Sequence, residues 1–279
     1  MSSGARLVTA AKIARLGSFG AHFRELSVDA AWRGEVEALT RERHGLVRTY
    51  AQRLARLYFS DFDANALTGM YRMQLLSLGA WRQLLGARAG GRLLDVGAGS
   101  GDVTVMLGQC FDEVETTEVS RGMARRLGKR GFRCHRLDLS EAPLAAPPFD
   151  AVSLLNVLDR CQRPRTLLRN CLAALRPGGA FIVALALPYR PFYFDGPLTP
   201  EPLERLECAP AVAPSVAVGA GAPTDNENWE HGACRFIERD LLPLGLALES
   251  FARAPYLSAG DSARELYELD DVLVVLSKR

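Results

Sequence analysis

From Arg92 onward the chain alternates short apolar runs with amphipathic stretches. The runs Arg92–Val96, Glu113–Glu118, Phe132–Asp138, Phe149–Asn156 and Ala180–Leu187 predict strands. The stretches Asp102–Cys110, Arg121–Arg130 and Pro164–Leu175 predict helices between them. Strands that alternate with helices argue an α/β fold with a parallel, doubly wound sheet and helices on both faces. Arg176-Pro177-Gly178-Gly179 predicts a helix stop and a turn. Ala247–Ala254 and Asp271–Ser277 predict two more strands near the end, joined by a loop.

Upstream the period changes to that of a helix. Within residues 29 to 60, Trp32, Val36 and Leu39, then Leu46, Val47, Tyr50, Leu54, Leu57 and Tyr58 recur at helical spacing. Ser77–Leu85 predicts one more helix before the first strand. The expected organisation is a helical extension over residues 1–64 and a main domain over 65–279. Residues 196–225 break the pattern. Ala209 to Pro223 is built almost wholly of Ala, Pro, Gly and Val. It predicts a mobile surface insertion, placed after the fifth strand where substrate would enter.

Composition narrows the function classes. With 279 residues the chain suits one α/β domain plus additions. A net charge of +2 gives no bulk electrostatic case for nucleic acid. The six cysteines form no CxxC pair, so neither a metal site nor a disulfide framework is expected, and a reducing compartment is the simpler assumption. No apolar run reaches the length of about 18 residues that a membrane span needs. The first 24 residues carry Arg6, Lys12, Arg15 and Arg24 and no acid. This is read as the basic side of an N-terminal helix in a cytoplasmic protein, with an organellar transit peptide as the alternative.

The chemistry concentrates at two strand ends. The first reads Leu93-Leu94-Asp95-Val96-Gly97-Ala98-Gly99-Ser100-Gly101-Asp102, an apolar run that enters a loop with glycine at alternate positions. Glycines there let the backbone turn tightly and approach a nucleotide cofactor closely. Glu118, at the end of the second strand, lies where a carboxylate accepts hydrogen bonds from a ribose diol. The bland readings are a tight strand–helix turn and a solvated carboxylate. The Asp-x-Gly-x-Gly-x-Gly pattern resembles the first motif of class I S-adenosylmethionine (SAM) methyltransferases. The resemblance implies SAM as cofactor, S-adenosylhomocysteine as product, and a seven-stranded sheet whose last strand is antiparallel between the fifth and sixth. It implies cofactor contacts by Asp95, Gly97, Ala98, Gly99, Gly101, Glu118, Asn156 and Asp138. Asp95 either orients the glycine loop or nears the methionine amine. Asp138 either bonds the adenine amine or starts a turn.

The second strand end is Leu154-Leu155-Asn156-Val157-Leu158-Asp159-Arg160-Cys161. In open α/β sheets ligands bind at the carboxyl ends of strands. Asn156 and Asp159 are therefore candidate acceptor-site residues, against the alternatives of strand-end satisfaction and a turn cap before Pro164. Leu155 to Cys161, Pro164 and Thr166-Leu167-Leu168 resemble the methyltransferase-like protein 9 (DREV) family. So do Ala184 to Pro191, Asn228-Trp229-Glu230, Pro255-Tyr256-Leu257, Gly260-Asp261 and Leu269-Asp270-Asp271. The similarity runs from about Leu67 to the C-terminus.

That resemblance implies a SAM-dependent protein histidine methyltransferase. Its expected acceptor is the Nπ nitrogen of histidine in His-x-His motifs of a protein or peptide. In this reading Asp159 fixes the imidazole tautomer, Asn156 orients the ring, and Tyr256, just past the sixth strand, contacts peptide or imidazole. Tyr189, Trp229 and Glu230 either line an acceptor groove or simply pack. His22, His44, His135 and His231 show no ligand spacing. Ser100 stands where the family often carries an acid, and neither the first 60 residues nor residues 209–223 share the resemblance. The competing readings are a methyltransferase of a small imidazole or other metabolite, and a non-catalytic SAM-fold binding partner. Oligomeric state is not legible in the sequence.

Overall fold

The computed structural model describes residues 7–41, 72–146, 148–191, 201–209, 229–259 and 266–279. The helical pattern expected over 42–60, the proposed boundary at 64/65 and almost all of the 209–223 insertion lie outside these residues.

Eight strands form one sheet: β1 (Met73–Gln74), β2 (Arg92–Val96), β3 (Glu113–Thr117), β4 (Arg133–His135), β5 (Phe149–Leu155), β6 (Leu175–Leu187), β7 (Leu246–Ala259) and β8 (Leu266–Lys278). Their spatial order is β1-β7-β8-β6-β5-β2-β3-β4. Strands β2 to β6 pair in parallel, whereas β8 runs antiparallel between β6 and β7. This is the class I SAM-methyltransferase order, with the antiparallel strand inserted where the sequence led us to expect it. The difference is β1, a two-residue addition that pairs antiparallel with the edge of β7 and brings the count to eight.

Six helices flank the sheet among the described residues: α1 (Ala30–Arg41), α2 (Leu78–Leu85), α3 (Asp102–Gly108), α4 (Arg121–Lys129), α5 (Pro164–Ala174) and α6 (Trp229–Phe236). Local chemistry sets their starts. The Ser77 and Ser120 hydroxyls accept from the amides of Ala80 and Met123, and Pro164 opens α5 with its preset φ. The strands place successive side chains on opposite faces. Leu94, Val152, Phe181 and Val274 bury with Phe236 and Leu168 on one side. Leu93, Ala151, Ile182 and Val275 bury with Trp32, Trp81 and Leu107 on the other. Each fully buried large apolar side chain of this kind contributes about 1.5–3 kcal/mol.

The N-terminal residues join both layers. Leu16 and Phe23 enter the first core and Trp32, Val36 and Leu39 the second. The basic helix expected at the start is instead two 3-10 segments, Ile13–Arg15 and Gly17–His22. Gly17 sits at φ +55°, a poor conformation for continuing a helix. Other expectations need correction. The Arg176–Gly179 turn lies within β6 as a break in its pairing with β5: Phe149 faces Leu175, but Ala151 already faces Ala180. A Cβ on Gly179 would lie 2.9 Å from the Asp150 carbonyl oxygen, so close approach of backbones explains that glycine. Strand β4 ends at His135, leaving Asp138 beyond it. Strands β7 and β8 extend well past the spans read from sequence, because each continues pairing with the other through Ala259 and Leu266.

Candidate active site

The sheet reverses its winding between β2 and β5. The carboxyl ends of those strands are therefore the expected ligand crevice of an open α/β sheet. Both chemistry-bearing segments of the sequence meet there. The loop after β2 is stitched to the end of β3: the amides of Gly97 and Ala98 donate to the Thr117 carbonyl at 3.0 and 3.1 Å. Gly97, Gly99 and Gly101 all have positive φ, at +68°, +56° and +80°. Their surroundings differ. A Cβ on Gly97 would lie 2.8 Å from Val157 Cγ2, and one on Gly101 would lie 2.8 Å from Leu127 Cδ2. Gly99 meets no protein atom within 4 Å. The outer glycines serve packing, and the middle one leaves a gap above the loop.

Glu118 closes that gap from the β3 side. Its carboxylate is 7% exposed and accepts from the amides of Gly99 and Ser120, both at 2.9 Å. Asp95 lies underneath the loop rather than in it. Its two oxygens accept from the Thr104 and Ser153 hydroxyls, each at 2.6 Å, and burial raises its pKa while those bonds oppose the rise. Of the two roles read for Asp95, the structure favours orienting the loop: it ties β2 to α3 and β5. Asp138 forms a turn, its Oδ1 accepting from the Ser140 amide at 2.7 Å.

The candidate acceptor end is the turn after β5. Asn156 has φ +55°, the one described non-glycine residue with positive φ, and its amide donates to the Ala184 carbonyl on β6. Asparagine tolerates this left-handed conformation better than most residues. The following Val157 rests on Gly97, so the turn and the glycine loop pack directly together. Asp159 is 5% exposed, and both of its oxygens accept from Arg160, at 3.1 Å each from Nε and Nη2. Burial works against the Arg160 charge, yet Asp159 outweighs it and the guanidinium pKa lies above its ordinary value.

Two residues of this cluster escaped the sequence reading. Arg160 was read only as part of a motif. Asp271, on β8, has 0% exposure and accepts from Asn156 Nδ2 at 2.5 Å. Burial pushes its carboxyl pKa up to about 8, against the Asn156 hydrogen bond. Asp271 was likewise read only within the Leu269-Asp270-Asp271 block and as the first residue of a predicted strand. Tyr256 lies within β7, not past it, because that strand runs on to Ala259. Its half-buried ring hydroxyl points to Met73 Sδ, and burial raises its pKa. Tyr189 is buried in the first core, its hydroxyl 3.4 Å from the Leu158 carbonyl oxygen. Trp229 and Glu230 start α6, where Glu230 accepts from the Lys12 amide at 2.7 Å. Among the described residues no group of three His, Cys, Asp or Glu side chains is placed to hold a metal ion.

The profile of the DREV methyltransferase family matches residues 40–278. The chain belongs to this family. Shorter stretches resemble curated methyltransferases. One is a ubiquinone/menaquinone biosynthesis C-methyltransferase, UbiE, from Azotobacter vinelandii, 30% identical over 36% of this chain and 44% of the relative. Another is a demethylmenaquinone methyltransferase from Renibacterium salmoninarum, 32% identical over 39% of this chain and 50% of the relative. The match thus spans about half the length of these relatives. Among solved structures, the N-methyltransferase NodS from Bradyrhizobium japonicum, in complex with S-adenosylhomocysteine, is 16% identical. It matches over 71% of this chain and 82% of its own, with a TM-score of 0.42. TehB from Haemophilus influenzae is 12% identical over 72% and 62%, with a TM-score of 0.45. Likenesses of this size say nothing about substrate. Among the described residues no helix is long and apolar enough to cross a membrane.

The residues of this DREV-family loop fit SAM. The open space at Gly99 leaves room for the cofactor, and the Glu118 carboxylate, of a type that bonds a ribose diol, lies beside it on the Gly99 amide.

Proposed function

We propose that this chain transfers a methyl group from SAM to the Nπ nitrogen of a histidine in a His-x-His motif of a protein or peptide. The observation that carries the reading is the seat of Val157 on Gly97, which packs the turn that bears Asn156 and Asp159 on the glycine loop. DREV membership supports the methyltransferase class. The histidine acceptor rests on the resemblance of the Asn156–Cys161 and Pro255–Leu257 blocks and on the chemistry of the cluster.

SAM supplies an electrophilic methyl on a sulfonium. The remaining work falls to the chain. Neutral imidazole, with a pKa of about 6.5, already offers a lone pair near pH 7, so no strong base is required. The Nπ lone pair forms the new N–C bond while the methyl–sulfur bond breaks and its electron pair returns to sulfur. The Nτ proton stays on the ring during transfer and is later lost to water. The site must therefore hold Nτ–H and balance the growing imidazolium charge. The buried Asp159 carboxylate, already paired with Arg160, keeps lone pairs for such a contact. Aiming the ring in line supplies most of the rest.

The test is direct. Purified protein is incubated with isotope-labelled SAM and with His-x-His or Ala-x-Ala peptides, and the product is mapped. Label in the histidine peptide alone, on Nπ, is the expected result. Label elsewhere or nowhere refutes the assignment.

A further inference from the structure

Asn156 is the residue of the acceptor turn with an unusual backbone and an unsatisfied side chain. It is 3% exposed at φ +55°. Its Nδ2 donates to Asp271 Oδ2 at 2.5 Å, while its Oδ1 is buried with no hydrogen-bond partner. A buried carbonyl oxygen left unpaired costs about 1–3 kcal/mol, so natural sites rarely keep one without a purpose. Asp271 comes from a distant part of the chain. It lies opposite Ala186 on β6 and Ala254 on β7, neighbours that bring no polar side chain. Burying an acid completely is expensive unless it holds something.

We propose that Asp271 is a positioning residue that holds the Asn156 amide by its nitrogen and leaves Oδ1 as the atom presented to an N–H group of the acceptor. An amide has one donor end and one acceptor end. With the donor end engaged by a carboxyl oxygen, the free end can only accept. For a histidine acceptor that partner is Nτ–H, the proton that must be held while Nπ reacts. This inference rests on the proposed function and changes its detail. Tautomer selection passes to the Asn156–Asp271 pair, and Asp159, bound through both oxygens by Arg160, is left to balance charge.

The test compares Asp271→Leu, which removes the acceptor at similar volume, with Asp271→Asn, which keeps an oxygen. Turnover, peptide KM, SAM affinity and the Nπ-to-Nτ product ratio are measured for each. Asp271→Leu is expected to lower kcat at least tenfold, change SAM affinity less than threefold, and raise the share of Nτ product. Asp271→Asn is expected to recover most of the loss. In an Asn156→Ala background, Asp271→Leu is expected to cost little more, because its effect runs through Asn156. Wild-type turnover and regiochemistry in a folded Asp271→Leu protein overturn the proposal. So does a loss that is undiminished in the Asn156→Ala background. The pair is also read without any activity, from the side-chain amide NMR signal of Asn156. A signal shifted downfield in the wild type and moved in Asp271→Asn supports the pairing, and an unmoved signal overturns it. Failure of the wild type to methylate the histidine peptide refutes the proposed function instead, and leaves the pairing to the NMR result.

Discussion

Val157 Cγ2 lies 2.8 Å from where a Cβ on Gly97 would sit, whereas a Cβ on Gly99 would meet no protein atom within 4 Å. The two glycines of one loop thus face different things. Gly97 admits the turn after β5, and Gly99 faces open space. Gly99→Arg is expected to abolish SAM binding by calorimetry while the thermal melt changes only by the strain of a side chain at φ +56°, about 1 kcal/mol. Gly97→Ala is expected to lower the melting temperature more, because Val157 must move as well. Near-normal SAM affinity for Gly99→Arg removes the cradle assignment.

Asp159→Asn separates two roles of one carboxylate. If Asp159 only ends a turn, asparagine replaces it almost without loss. If its charge balances the growing imidazolium, kcat is expected to fall by about a hundredfold with SAM affinity retained. The structure adds a second consequence. Arg160 is bound through both Asp159 oxygens, so the variant removes a charge that faces a largely buried guanidinium. A lower melting temperature is expected alongside the kinetic loss. Wild-type turnover and stability together rule out the charge-balancing role and leave Asp159 as the end of a turn.

The sheet was legible because its signal is periodic and local. Runs such as Leu93–Val96 and Ala180–Leu187 bury on both faces, and the glycine loop has a fixed spacing. The ends of β4, β7 and β8 were not legible, because pairing across the β7–β8 ladder decides them and leaves no local mark. In the candidate site, Asn156, Asp159 and Glu118 were singled out from their places at strand ends. Asp95 was found too, but its service to Thr104 and Ser153 needed the structure. The role of Asp271 was not read because its partner Asn156 lies 115 residues away in sequence. No single-chain pattern announces such a contact.

The acceptor sets the pH profile of activity. In the proposed function neutral imidazole is the nucleophile, and its ordinary pKa is about 6.5. Rate is therefore expected to rise through about pH 6–7 and then level off. A lysine acceptor would continue to gain rate well above that. A peptide-methylation profile still climbing steeply above about pH 9 would falsify the histidine assignment.

Asp271 makes a prediction about stability that is independent of any substrate. Its carboxyl faces Asn156 and lies near Asp159, Arg160, Asp270 and Tyr256, and burial raises its folded pKa to about 8 from an ordinary 3.8. Between those values the folded protein keeps the proton and the unfolded chain has lost it. The unfolded state then binds fewer protons, so this group's contribution to stability falls as pH rises from about 4 and stops falling above about 8. The slope for one such group is at most about 1.4 kcal/mol per pH unit. Asp271→Asn removes the titration but keeps the shape. Its melting temperature relative to the wild type is therefore expected to climb steadily between pH 5 and pH 7.5. A constant difference across that range shows that Asp271 is already ionised in the folded protein, with a neighbouring charge such as Arg160 holding it so.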